Sequence, residues 1–137
     1  MIKDGARGKT PAAKILVVDD EECVRTLFAV ALTNAGYEVN IAVDGRRAQG
    51  ILKTDSHDLV ITDLVMPDCE GIETIQAVRR DYPRTRIIAV SGAFGGSYLL
   101  PAARLGADVT LKKPVSPEQL LDVVQGILET RGPSAPW

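Results

Sequence analysis

Residues 14–32, KILVVDDEECVRTLFAVAL, decide the fold. The run Lys14-Ile-Leu-Val-Val18 is aliphatic after its lysine and largely β-branched, which predicts a strand buried on both faces. Four acidic residues, Asp19 to Glu22, end it. Beyond them Val24, Leu27, Phe28, Ala31 and Leu32 fall at i, i+3, i+4, i+7 and i+8, the stripe of a helix with one apolar face. Asn34-Ala-Gly36 supplies the glycine that ends such a helix. A doubly buried strand followed by an amphipathic helix opens a parallel strand–helix unit.

The alternation continues along the chain. Glu38–Val43 alternates, with Val39, Ile41 and Val43 on one side, and precedes a short helix carrying Ala48, Ile51 and Leu52. Leu59-Val-Ile-Thr62 leads to a helix with Ile72, Ile75 and Val78 that stops before Pro83. Arg86-Ile-Ile-Ala-Val90 runs through the glycines of 92–96 to a weaker helix around Leu99–Leu105. Asp108–Lys112 precedes Ser116-Pro-Glu-Gln119, where an N-cap serine, a proline at the first helical position and a glutamine three past the cap start a final helix. Leu120, Leu121, Val124, Ile127 and Leu128 form its apolar face.

Five such units predict an α/β domain, (βα)5, with a doubly wound five-stranded parallel sheet and helices on both faces. Runs one, three and four are nearly continuous aliphatic residues and belong at the centre. Runs two and five mix polar with apolar residues and belong at the edges. The strand order that follows is 2-1-3-4-5, flavodoxin-like.

Composition narrows the function. The chain has 137 residues, 45% hydrophobic and 25% charged, enough for one core without disulfide or metal staples. Lys+Arg 16 against Asp+Glu 18 leaves no basic footprint for nucleic acid. No apolar stretch approaches the roughly 20 residues of a membrane span. MIKDGARGKTPAAK lacks the apolar segment of an export signal, so the expectation is a cytoplasmic protein with no membrane or nucleic-acid partner. Residues 1–13 read as a flexible tail, 14–131 as the domain and 132–137 as a second tail. With about six residues after the last helix, against the ~50 that an output domain needs, the domain is expected to stand alone. Cys23 and Cys69 form no ligand cluster and read as inert, and His57 reads as a surface residue.

In a sheet of this order, ligands bind beyond the carboxyl ends of the strands, at the switch point between strands 1 and 3. Asp19, Asp20, Glu21 and Glu22 follow the first run, Asp63 the third, Ser91 the fourth, and Lys112, Lys113 and Pro114 the fifth. Singly, Asp20 is a helix cap, Asp63 a turn residue and Lys113 a solvated edge lysine. Jointly they bring several carboxylates and an amine to one edge, which calls for a counter-charge. Mg²⁺, a hard cation with oxygen ligands, answers that need. A carboxylate beside Mg²⁺ and an ammonium is a nucleophile toward a phosphoryl group, whose transfer is mostly neutralisation and positioning.

The segments ILVVDDE at 15–21, DLVITDLVMPDCEG at 58–71, AVSGA at 89–93 and LKKP at 111–114 resemble the receiver domain of two-component response regulators, in its stand-alone, chemotaxis-regulator-like form. The resemblance covers about residues 14–130. It implies a phosphoacceptor signalling domain, not an enzyme, that takes its phosphoryl group from a sensor histidine kinase or a phosphotransfer protein. It implies that Asp63 is the phosphoacceptor, Asp20 the main Mg²⁺ carboxylate with Asp19 beside it, and the backbone carbonyl of Val65 a further ligand. Ser91 takes the place of the hydroxyl switch, and Lys113, with a cis bond to Pro114, that of the phosphate-pairing lysine. Thr110 stands where the family often carries an aromatic switch, which throws more of the signal onto Gly92–Tyr98. Output would pass through residues 97–130 to a downstream protein or a homodimer partner. Three alternatives stand beside it. One is a receiver cut from a longer regulator. Another is a haloacid-dehalogenase-type phosphohydrolase, which wants DxD after the first strand. The last is a flavin mononucleotide binder, whose phosphate Asp19–Glu22 would repel.

Overall fold

The computed structural model describes residues 12–64, 70–92 and 106–129. Its elements are β1 (Lys14–Val18), α1 (Glu22–Asn34), β2 (Glu38–Ala42), α2 (Gly45–Thr54), β3 (Leu59–Asp63), α3 (Glu70–Asp81), β4 (Arg86–Ser91), β5 (Val109–Lys112) and α4 (Pro117–Glu129). The five strands form one sheet in the order β2-β1-β3-β4-β5, and every neighbouring pair is parallel. The helix expected around Leu99–Leu105 and the carbonyl of Val65 lie outside the described residues.

Burial explains the order. All of β3 is buried, as are β1 and β4 after their first residues, whereas β2 keeps only Ala42 buried and β5 only Leu111. A strand without polar side chains is stable only where both of its faces are covered. On the edge strand β2, Ile41 shares a side with Val39 but is 49% exposed.

Successive side chains of the central strands go to opposite faces. Ile15, Val17 and Ile61 pack with Phe28 and Leu32 of α1 and with Leu120 and Val124 of α4. Leu16, Val18 and Val60 pack with Ala48 and Leu52 of α2 and with Ile75 and Val78 of α3. Each such aliphatic side chain contributes about 1.5–3 kcal/mol on burial.

Local signals set the helix ends. Asp44 caps α2, its Oδ1 accepting from the Arg47 amide at 2.9 Å, and Ser116 caps α4, its Oγ accepting from the Gln119 amide at 3.0 Å. Gly36 turns the chain out of α1 with φ at +102°. The fifth strand begins at Val109, one residue later than its pattern suggests, because Asp108 is used otherwise. Asp108 Oδ2 accepts from the Ile87 amide and from Arg79 Nη2, each at 2.8 Å, which ties α3 to the start of β5. No described helix is long and apolar enough to cross a membrane.

His57 departs from its expected surface position and is 6% exposed. The amide of Asn40 lies 3.2 Å from its Nε2, and its Nδ1 lies 3.1 Å from the Asp55 carbonyl, an arrangement that suits a neutral ring donating from Nδ1. The Thr85 hydroxyl donates to the His57 carbonyl at 3.0 Å. The loop from α2 to β3 passes beneath the amino ends of the strands, and the histidine fills that corner.

Candidate functional site

Parallel strands end at one edge, so the residues after β1, β3, β4 and β5 share a small volume. Asp19 follows β1 directly, and its amide continues the pairing with β2 by donating to the Ala42 carbonyl at 3.2 Å. Asp63 closes β3 and Ser91 closes β4; both are buried, as is Asp19. The Lys113 amide donates to the Ser91 carbonyl at 3.1 Å and carries the β4–β5 pairing one residue further. The Lys113–Pro114 bond is cis.

Asp19, Asp20 and Asp63 each present a carboxylate oxygen, and the three oxygens lie within 4.8 Å of one another. Into this group comes the ammonium of Lys113. Its Nζ is 3.1 Å from Asp19 Oδ2, 3.3 Å from Glu21 Oε1 and 3.6 Å from Asp63 Oδ2. The bland reading of Lys113 as a solvated edge lysine is therefore wrong. So is that of Asp20 as the helix cap, since the N-cap residue of α1 is Glu21, whose side chain makes no capping bond.

Electrostatics mark the group as under-neutralised. Burial pushes the Asp19 carboxyl above the ordinary carboxylate range, although the Glu21 amide donates to its Oδ1 at 2.9 Å and Lys113 stands beside it. Burial also works against the Lys113 ammonium, but the Asp19 and Asp63 carboxylates outweigh it and hold its pKa above the usual lysine value. The two shifts agree once the charges are counted. One ammonium shared among several carboxylates is held firmly, while its share does not offset what burial costs Asp19. An all-oxygen donor set with surplus negative charge fits Mg²⁺ better than a soft metal.

Arg25 and Gly71, to which the sequence assigns no role, support this edge, and so does Gly92, already placed in the segment Gly92–Tyr98. Arg25, one turn into α1, donates from Nη1 to the Asp19 carbonyl at 2.9 Å and so braces the β1–α1 corner. Gly71, in the first turn of α3, lies so close to β3 that a Cβ there would collide with the carbonyl oxygens of Asp63 and Leu64. Gly92 lies against Lys113, whose Cβ would be 2.9 Å from a Cβ at position 92. A glycine early in a helix is a signal of close approach that could have been read at Gly71. Arg25 carries no such signal. Cys23 is an exposed thiol on α1, and Thr110, on β5, pairs in register with Ala89.

The model of the response regulator receiver domain family matches residues 15–125. The chain belongs to that family. Receiver domains are phosphoacceptor signalling domains, not classical enzymes, and work with histidine kinases or phosphotransfer proteins. Among curated relatives, the DNA-binding transcriptional regulator NtrC of Azospirillum brasilense is 35% identical over 124 residues, which are 90% of this chain and 26% of that protein. The uncharacterized transcriptional regulatory protein YrkP of Bacillus subtilis is 42% identical over 111 residues, 80% of this chain and 46% of that one. This receiver domain thus spans about a quarter to a half of the length of the curated relatives it matches. Among solved structures, the chemotaxis response regulator CheY4 of Vibrio cholerae aligns with a TM-score of 0.79 at 35% identity, over 85% of this chain and 99% of that one.

Proposed function

We propose that this receiver accepts a phosphoryl group on Asp63 from a phosphohistidine of a sensor kinase or phosphotransfer protein. The observation that carries the reading is the Lys113 ammonium set between Asp19 and Asp63, beside carboxylate oxygens grouped within 4.8 Å. In the transfer, an Asp63 oxygen forms the new P–O bond while the P–N bond of the donor breaks. The electron pair departs on the imidazole nitrogen, which takes up a proton from solvent. Lys113 neutralises charge on the phosphoryl oxygens, and the Ser91 hydroxyl, at the end of β4, donates to one of them. Asp19, Asp20, Asp63 and the Val65 carbonyl would hold Mg²⁺. When bound, the ion offsets the negative charge shared by the carboxylates and the phosphoryl oxygens. The domain catalyses nothing beyond its own phosphorylation and dephosphorylation.

In this reading phosphorylation biases a protein-binding surface within residues 97–130, for a target protein or a second copy of the chain. A second reading draws on the relatives named as transcriptional regulators, of which the aligned residues are 26–54%. There the same switch would govern DNA binding by a separate part of a longer protein. The mass of the protein isolated from its source cells separates the two, 14.7 kDa for this chain by itself against two- to fourfold more.

Intact mass after incubation with acetyl phosphate tests the chemistry. Wild type should gain one phosphoryl group, only with Mg²⁺, and Asp63→Asn should gain none. A folded wild type that gains nothing, or an Asp63→Asn variant that still gains, overturns the assignment.

A further inference from the structure

We propose that Glu21 is a positioning residue for the transfer. Its carboxylate holds the Lys113 ammonium away from Asp63 in the unphosphorylated domain and has to yield it to the arriving phosphoryl group. The inference rests on the reading of Asp63 and Lys113 given above and adds a residue that sets how readily that pair engages.

Three observations lead to it. The first is distance, since Lys113 Nζ lies 3.3 Å from Glu21 Oε1 and 3.6 Å from Asp63 Oδ2. The lysine hydrogen-bonds to Glu21 across 92 residues of chain, while with Asp63 it makes an ion pair beyond hydrogen-bond range. The second is local structure. Glu21 occupies the N-cap of α1, where Ser, Thr, Asp or Asn would bond to the free amides of the first turn, yet its side chain caps nothing. The third is exposure. The Glu21 side chain is 63% exposed, against 4% for Asp19 and 7% for Asp63. Of the three carboxylates around Lys113, Glu21 is the one free to swing into water when its partner leaves.

The consequence is kinetic. An ammonium has three donors. With Asp19 and Glu21 engaging two of them, one is left for the phosphoryl group, and a second contact from Lys113 to the phosphoryl oxygens has to displace a carboxylate, the exposed one most easily. An exposed ion pair of this kind is worth up to about fivefold in an equilibrium. Removing Glu21 should therefore speed labelling about two- to fivefold.

The test uses the full chain, acetyl phosphate and Mg²⁺, with intact-mass time courses for wild type, Glu21→Gln and Glu21→Asp. Each is repeated in a Lys113→Gln background. Aspartate keeps the charge but is one methylene shorter and suits the cap. Both Glu21 variants should label faster and half-saturate at lower acetyl phosphate, and the gain should vanish in the Lys113→Gln background. In metal-free protein, the Lys113 ammonium protons followed by NMR should exchange with solvent faster in Glu21→Gln than in wild type. The proposal fails if wild type labels and the variants label no faster, or if the gain survives without Lys113. It fails too if Glu21→Asp behaves as wild type, since charge alone would then be acting. A folded wild type that never labels removes the phosphoacceptor reading itself and this inference with it.

Discussion

At the amino end of the sheet, Lys14 Nζ meets Asp55 Oδ1 at 2.8 Å with Glu38 at 3.8 Å, and the Lys14 amide donates to Asp58 Oδ2 at 2.8 Å. His57, Asn40 and Thr85 complete that corner with hydrogen bonds of 3.0–3.2 Å. At the carboxyl end, Lys113 is instead shared by Asp19, Glu21 and Asp63, with Asp20 alongside. The hydrogen bond from Lys14 lowers the Asp55 pKa below the ordinary carboxylate value, whereas burial raises that of Asp19. Each end sets one ammonium among several carboxylates, but the Asp55 side chain is 42% exposed and keeps its water whereas that of Asp19 is 4% exposed and does not. The less compensated carboxylate therefore lies at the edge proposed to receive a cation and a phosphoryl group.

The largest break in this contrast should come from Lys113→Ala. Losing the ammonium should slow acetyl phosphate labelling by about 10²-fold, the scale of removing one preorganised charge-stabilising group, as read from mass time courses. Labelling at the wild-type rate would show that the ammonium is structural, like that of Lys14.

Gly71→Ala attacks the same end through the backbone. Its methyl group has to push α3 from the Asp63 and Leu64 carbonyls, at a cost of about 1–3 kcal/mol in a urea melt. Gly50→Ala in α2, where nothing lies within 4 Å of the new Cβ, should instead gain about 0.5–1 kcal/mol. Equal melts for the two would contradict the close approach of α3 to β3.

At the amino end, His57→Ala should cost about 1–3 kcal/mol, because a buried side chain is lost and the half-buried Asn40 amide loses its acceptor. Labelling of the folded fraction should keep its wild-type rate. A change in that rate would mean that the two ends are coupled.

The smallest effect is the most direct comparison of signs, stability against pH in the presence of a chelator. Asp19 has a raised folded pKa, so its contribution is favourable at low pH and is lost as pH rises through that value. Asp55 has a lowered folded pKa, so its contribution is present above the ordinary carboxylate value and is lost as pH falls through the lowered one. Asp19→Asn should therefore raise the neutral-pH melting temperature of the metal-free protein and weaken its stabilisation by Mg²⁺. Asp55→Asn should lower that temperature slightly, and less in high salt. Shifts of the same sign in both variants would erase the contrast.

Much of this is legible in the amino-acid sequence. Continuous aliphatic runs at 15–18, 59–61 and 87–90 place three strands at the centre, because only double burial stabilises a strand without polar side chains. Parallel strands share a carboxyl edge, so Asp19, Asp20, Asp63, Ser91 and Lys113 could be assigned to one site from their places after the runs. What stayed hidden depends on distances that no periodicity encodes. His57 is hydrogen-bonded to residues 17 before and 28 after it, and Glu21 finds Lys113 across 92 residues. Gly71 is needed because one helix comes within collision range of one strand end. The amino-acid pattern determines which faces must be covered and which ends carry charge, since both follow from the chain's own chemistry. Tertiary packing alone decides which carboxylate meets which cation, because that choice turns on a few tenths of an ångström between elements far apart in the chain.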